Sequence, residues 1–173
     1  MKIPILSFVG RSGTGKTTVI ERLIPQLKAC GIRVATIKHH LHDFDMDREG
    51  KDSYRHKKAG AKLAMVVSPG KVALVEDVDG ELGLVELISR HVHDVDLVIT
   101  EGYKTEDVPR IEVYNVRNHE PPVSLGHRNL LALITDMPMD APVPVLQRDE
   151  IGKLAEFIIE KVMSGKGKVA SEE

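Results

Sequence analysis

The 173-residue chain is 42% hydrophobic and 29% charged, with a formal net charge of −2 and a single cysteine, enough for one α/β domain with a real core and too little for two. The near-zero charge gives no global attraction for nucleic acid, so any anion binding must be local. Cys30 alone excludes an intramolecular disulfide and a multi-cysteine zinc site, the apolar start is too short for a signal peptide, and no stretch approaches the roughly 18 apolar residues of a membrane span; a cytoplasmic protein that binds neither nucleic acid nor membrane is expected.

Residues 3–9 read as a buried first strand, with Pro4 near its start where a missing N–H is tolerated. Gly10-Arg11-Ser12-Gly13-Thr14-Gly15-Lys16-Thr17 follows and matches G-x-x-x-x-G-K-[ST] at every fixed position. Val19, Ile20, Leu23, Ile24 and Leu27 then recur at helical spacing until Gly31 stops the helix. Pro25 predicts a kink within it, and Cys30 near its end is expected to be a small buried hydrophobe. With a second strand at residues 32–37, this makes a βαβ unit and implies a parallel sheet with a right-handed crossover.

Residues 38–51 are polar, rich in histidine and aspartate, and read as a long loop leaving the second strand. Asp52 or Ser53 is expected to cap a short basic helix at 54–59, ended by Gly60. Residues 62–67 and 71–75 flank Ser68-Pro69-Gly70, a hairpin signal that would add antiparallel strands to the sheet. An amphipathic helix is expected over 82–91 and strands at 95–100, 110–114, 130–134 and 144–146, with Asp149 capping a last helix that runs through Met163. The fold class is therefore α/β, a P-loop NTPase-like three-layer fold with a mostly parallel sheet and an added antiparallel hairpin. No linker divides the chain, so residues 1–163 are expected to form one nucleotide-binding domain, followed by a flexible tail at 164–173.

The glycines at 10, 13 and 15 allow backbone conformations in which successive N–H groups turn inward around an anion. Gly10, Ser12, Gly13, Thr14, Gly15, Lys16, Thr17 and Thr18 form the expected nucleotide-binding set: Lys16 supplies a point charge to the outer phosphates, and the Thr17 hydroxyl is placed to ligate Mg²⁺. Such a loop needs an acidic partner at the carboxyl end of a neighbouring strand. Glu101, followed by Gly102, fills that place, and Asp96 at the other end of the same strand reads as a strand-entry residue. Asp52 is a further candidate, reaching the metal through water, and Lys38 a candidate phosphate contact.

The loop around His39, His40 and His42 admits two readings, a transition-metal site or a switch-like segment closing over the outer phosphates. A calcium loop is excluded, because Arg48 stands where the pattern needs glycine. Arg55, His56, Lys57 and Lys58 read as an anion patch or as a solvated helix face. Asp136, after a late strand, has the position of an acceptor for a guanine base, although the Asn-Lys-x-Asp sequence of many GTPases is absent.

Lys38-His39-His40, Gly50-Lys51-Asp52-Ser53-Tyr54-Arg55-His56 leading to Ala59-Gly60-Ala61, and Ile99-Thr100-Glu101-Gly102-Tyr103-Lys104 occur in that order behind the phosphate loop. In these the chain resembles the molybdopterin-guanine dinucleotide biosynthesis adaptor family, MobB, over roughly residues 1–136. The resemblance implies a homodimeric, GTP-binding protein of weak intrinsic hydrolysis that uses GTP and Mg²⁺. Its partner would be the MobA-type molybdopterin guanylyltransferase, and molybdopterin itself a further ligand. By the same resemblance, residues 13–18 bind phosphates, Glu101 and Asp52 serve magnesium and the water, and Lys104 approaches a phosphate. Arg11 stands where related dimeric ATPases carry an extra lysine; it either stabilises transferring phosphate, with Glu101 and Asp52 in the catalytic set, or pairs with a surface carboxylate. The competing functions are a small-molecule P-loop kinase and a GTP-dependent metal-insertion chaperone using His39, His40 and His42.

Overall fold

The computed structural model describes residues 3–40, 48–103, 105–115 and 120–164. In chain order its elements are β1 (Ile5–Val9), α1 (Lys16–Ala29), β2 (Val34–Lys38), α2 (Asp52–Lys58), β3 (Leu63–Ser68), β4 (Lys71–Glu76), α3 (Leu84–His91), β5 (Leu97–Glu101), β6 (Arg110–Val113), β7 (Leu130–Thr135), β8 (Val145–Gln147) and α4 (Ile151–Ile158), which passes into a π-helical turn at Ile159–Met163. They fall into two compact units, one of Met1–His39 with Val92–Glu173, the other of His40–His91.

The first unit holds a six-stranded sheet in the order β2-β5-β1-β6-β7-β8, and every neighbouring pair in it is parallel. Alternate residues of a strand face opposite ways, and the two faces of this sheet differ in chemistry. On one, Leu6, Phe8, Ile99, Ile111, Val113 and Ile134 pack with Leu23 and Leu27 of α1 and Leu154 and Ile158 of α4. Leu23 and Leu27 are fully buried, and each such leucine contributes about 2 kcal/mol through removal from water. Pro25 lies inside α1 without ending it, since the apolar stripe on both sides of it is packed into this core.

The opposite face carries Ser7, Thr100, Arg110, Glu112 and Thr135, all buried. Buried polar groups are as a rule hydrogen-bonded, and for Ser7, Arg110 and Glu112 the partners come from loop backbone, whereas Thr100 Oγ1 has none among the described residues. Ser7 Oγ donates to the Tyr103 carbonyl at 3.1 Å. Arg110 Nη2 donates to the Glu106 carbonyl at 2.5 Å. The Glu112 carboxylate accepts from the N–H groups of Val123 and Ser124 at 2.8 and 2.7 Å. These bonds tie the loops after β5 and β6 to the sheet.

The second unit is α2, β3, β4 and α3. Its antiparallel pair runs from Leu63 opposite Glu76 to Ser68 opposite Lys71 and forms a sheet of its own instead of extending the parallel one. Leu63, Met65, Val67, Val72 and Leu74 share one face of the hairpin by the period of two, and all five are exposed.

Three local expectations differ from the structure. Lys51, not Asp52 or Ser53, is the N-cap of α2, and Asp52 is already its first helical residue; Glu150, not Asp149, is the N-cap of α4. No side-chain cap bond forms at either end; Glu150 is instead paired with Lys153 one turn on. Cys30 is exposed, because it is the C-cap residue of α1, where the chain turns into Gly31 at φ +77°.

Candidate functional site

The phosphate loop leaves the carboxyl end of β1 and ends at Gly15, the N-cap of α1, in the left-handed region at φ +85°. Gly10, at φ +136°, lies so close to the Val113 carbonyl that a Cβ there would collide with it, so only glycine fits the start of the loop. Lys16 is the first residue of α1. Its Nζ donates to the carbonyls of Gly10 at 3.1 Å and Arg11 at 2.8 Å, which folds the ammonium back over the loop. Thr14 is buried, and its Oγ1 donates to the Arg11 carbonyl at 3.0 Å. The loop is thus braced from within, with a cation over its centre and the N-terminus of α1 beneath it.

β5 is the neighbour of β1, and the register that sets Phe8 beside Glu101 brings that acid to the loop. The Thr17 hydroxyl donates to Glu101 Oε1 and Oε2 at 3.0 and 3.1 Å. Lys38, at the end of β2, lies opposite Glu101 across the sheet, with its Nζ 3.9 Å from Oε1. Three strand ends therefore converge on one carboxylate. A hydroxyl and a carboxylate side by side are hard oxygen donors, the set that suits Mg²⁺ completed by phosphate and water. Behind the carboxylate, the Glu101 carbonyl accepts from His39 N–H at 2.9 Å, and the His39 and Tyr103 rings lie 4.7 Å apart. A Cβ on Gly102 would crowd the His39 carbonyl.

The other expected residues are placed as follows. Arg11 Nη2 is 2.5 Å from Glu120 Oε2, with both side chains largely exposed. Asp52 begins α2 in the second unit, with an exposed side chain 3.9 Å from Arg55. His42 and Lys104 lie outside the described residues. Among the described residues no group of three or more histidine, cysteine, aspartate or glutamate side chains is placed to hold a metal ion. Asp96 stands just before β5 and pairs with Arg33 through Nε and Nη2 at 2.9 Å; the Arg33 hydrogen bonds pull its carboxyl down to about 2. Lys57 turns away from any anion patch, donating to the Ala61 carbonyl and pairing with Asp77.

One residue at the loop has no signal in the sequence. Arg148, just past β8, donates from Nη1 to the Thr14 carbonyl at 2.6 Å and from Nη2 to the Tyr114 carbonyl at 3.3 Å. Its Nη1 fills the place that a Cβ on Gly15 would need.

Comparison with known proteins supports the resemblance read from the motifs. The family model for molybdopterin guanine dinucleotide synthesis protein B matches residues 5–136. The chain belongs to the MobB family. It is 38% identical over 169 residues to the molybdopterin-guanine dinucleotide biosynthesis adapter protein of Escherichia coli, covering 95% of this chain and 97% of that one. The Haemophilus influenzae protein of the same description is 35% identical, over 91% of this chain and 88% of its own. A crystal structure of molybdopterin-guanine biosynthesis protein B superposes with a TM-score of 0.72 at 35% identity, covering 90% of this chain and 97% of that one. The MobB fold is a P-loop NTPase-like fold, and the parallel sheet with its phosphate loop is the part of this chain that carries it.

Proposed function

We propose that this protein is a GTP-binding adapter in the formation of molybdopterin guanine dinucleotide, assisting the MobA-type guanylyltransferase that joins GMP to molybdopterin. The observation that carries the nucleotide half of this reading is the closure of Thr17 on Glu101 beside Lys16. That arrangement supplies a metal-binding pair and a cation at one end of a phosphate cradle. The relatives' role in making the guanine dinucleotide supports the other half. In the adapter, Lys16 and the loop N–H groups, with Ser12 within the loop and Thr18 just beyond it, hold the phosphates. Thr17 and Glu101 hold Mg²⁺, and Lys38 approaches the outer phosphates. Intrinsic hydrolysis is weak, and Arg11 contributes to it only on leaving its exposed pair with Glu120, which costs about 1 kcal/mol or less.

The protein acts in the cytoplasm as a homodimer. The exposed apolar face of the hairpin supplies the contact: a two-stranded hairpin is marginal by itself, and a contiguous apolar surface of this kind marks an interface.

The adapter reading is tested by reconstitution. Purified protein is added at stoichiometric ratio to a MobA-type guanylyltransferase with molybdopterin and Mg·GTP, and dinucleotide yield and phosphate release are followed together. Yield is expected to rise several-fold while GTP hydrolysis by the adapter alone stays slow. An unchanged yield rules out the adapter role.

A further inference from the structure

The magnesium end of the site lies on the β5 and β2 side of β1, where Glu101, Thr17 and Lys38 meet. A nucleoside triphosphate laid across the carboxyl ends of a parallel sheet with its outer phosphates there must run its nucleoside over the ends of β6, β7 and β8. Arg148 lies on that side. Its guanidinium joins the ends of four strands: the Thr14 carbonyl in the loop after β1, the Tyr114 carbonyl after β6, Asp136 after β7, and its own position after β8. The contact to Asp136 is an ion pair, Nε to Oδ1 at 2.5 Å, with the N–H not aligned for a hydrogen bond. The backbone fixes the frame, with Arg148 N–H donating to the Thr135 carbonyl and Tyr114 N–H to the Ile134 carbonyl.

Resting on the nucleotide-binding reading above, we infer that Arg148 is a positioning residue which clamps the phosphate loop to the base pocket and holds Asp136 to read a guanine-type base. Guanine presents two adjacent donors, N1–H and the 2-amino group, and a carboxylate is the side chain that accepts both. A free Asp136, on a turn after β7, would sample several rotamers. The pair with Arg148 fixes one of its oxygens while the side chain stays 46% exposed, so its outer edge remains open to a base. The planar fork is needed because its donors stand on three separate nitrogens and so span two carbonyls and a carboxylate on different strand ends, whereas the three donors of an ammonium all radiate from one nitrogen. Arg148 also links base to phosphates, since the group that orients Asp136 also anchors the Thr14 carbonyl inside the loop.

The test compares wild type, Arg148→Lys, Arg148→Ala and Asp136→Asn, each titrated calorimetrically with Mg·GTP, Mg·ITP and Mg·XTP after a thermal melt has verified folding. Inosine lacks the 2-amino group, so wild type should prefer GTP to ITP by about tenfold, the discrimination a paired hydrogen-bond contact supplies. Both Arg148 variants should bring that ratio close to one, with lysine failing to rescue it. Asp136→Asn should shift preference from GTP toward XTP, whose 2-carbonyl accepts from the new amide. Folded Arg148 variants that keep the wild-type GTP to ITP ratio would overturn the assignment. If they do not fold, Asp136→Asn decides, and an unaltered GTP to XTP ratio overturns it. Wild-type binding of normal strength without any base preference refutes the base-reading role of Asp136 and Arg148 and leaves the phosphate site standing, whereas no binding by wild type refutes the phosphate-site reading beneath it.

Discussion

Lys16→Ala is expected to weaken Mg·GTP binding by about 100-fold or more while leaving the melting temperature almost unchanged. The ammonium sits over the loop, held by the Gly10 and Arg11 carbonyls at 3.1 and 2.8 Å, and is the one full charge that the motif aims at the phosphates. Charge-assisted hydrogen bonds are worth about 1.5–3 kcal/mol each, and two to phosphate oxygens amount to about 3–6 kcal/mol, or roughly 10²–10⁴ in affinity. The fold loses little, because the carbonyls released lie at the mouth of the loop, where water replaces the donor. Calorimetric titration of the variant beside a thermal melt checks both halves. An affinity within threefold of wild type would mean that the loop does not hold a nucleotide's phosphates.

Glu101→Gln should remove the dependence of GTP binding on Mg²⁺ and leave the metal-free affinity nearly intact. The carboxylate is the anionic partner of the Thr17 hydroxyl, and the amide keeps its shape while surrendering the charge that a dication needs. The variant also loses the pairing with Lys38, which at 3.9 Å is at the outer limit of an ion pair and has its ammonium side chain more than half exposed, so it contributes little. Titrations in Mg²⁺ and in EDTA should differ by about tenfold or more for wild type, corresponding to one charge-assisted contact, and by less than twofold for the variant. Full magnesium dependence in the variant would assign the metal to another acid.

How much of this was legible in the sequence depends on the range over which each constraint acts. The phosphate loop could be read because its requirements lie within eight consecutive positions, Gly10 to Thr17, and between a strand and a helix. Glu101 could be read because a short apolar strand ending in an acid and a glycine is also local, and the parallel register of β1 with β5 then delivers it to Thr17. Arg148 could not. It stands 134 residues from Thr14, and in Gln147-Arg148-Asp149 it looks like any charged turn residue. The sheet's polar face is a similar case: nothing within the four residues of β6 states that loop backbone folds over Arg110 and Glu112 and makes them buried anchors. The helix ends differ from expectation although their signals are local. Asp52, Ser53 and Asp149 are good caps by residue type, but the N-caps fall one or two residues away from them, at Lys51 and Glu150, with no side-chain cap bond at either. The hairpin's turn signal was correct, yet nothing in its own residues states which sheet it joins.

Titration of the intact wild-type protein with Mg·GTP and, separately, with Mg·ATP tests the central claim most directly. One site per chain is expected, with GTP bound at least tenfold more tightly than ATP, because a carboxylate reads a base that carries adjacent donors. Equal affinity for the two nucleotides, or binding of neither, would contradict it.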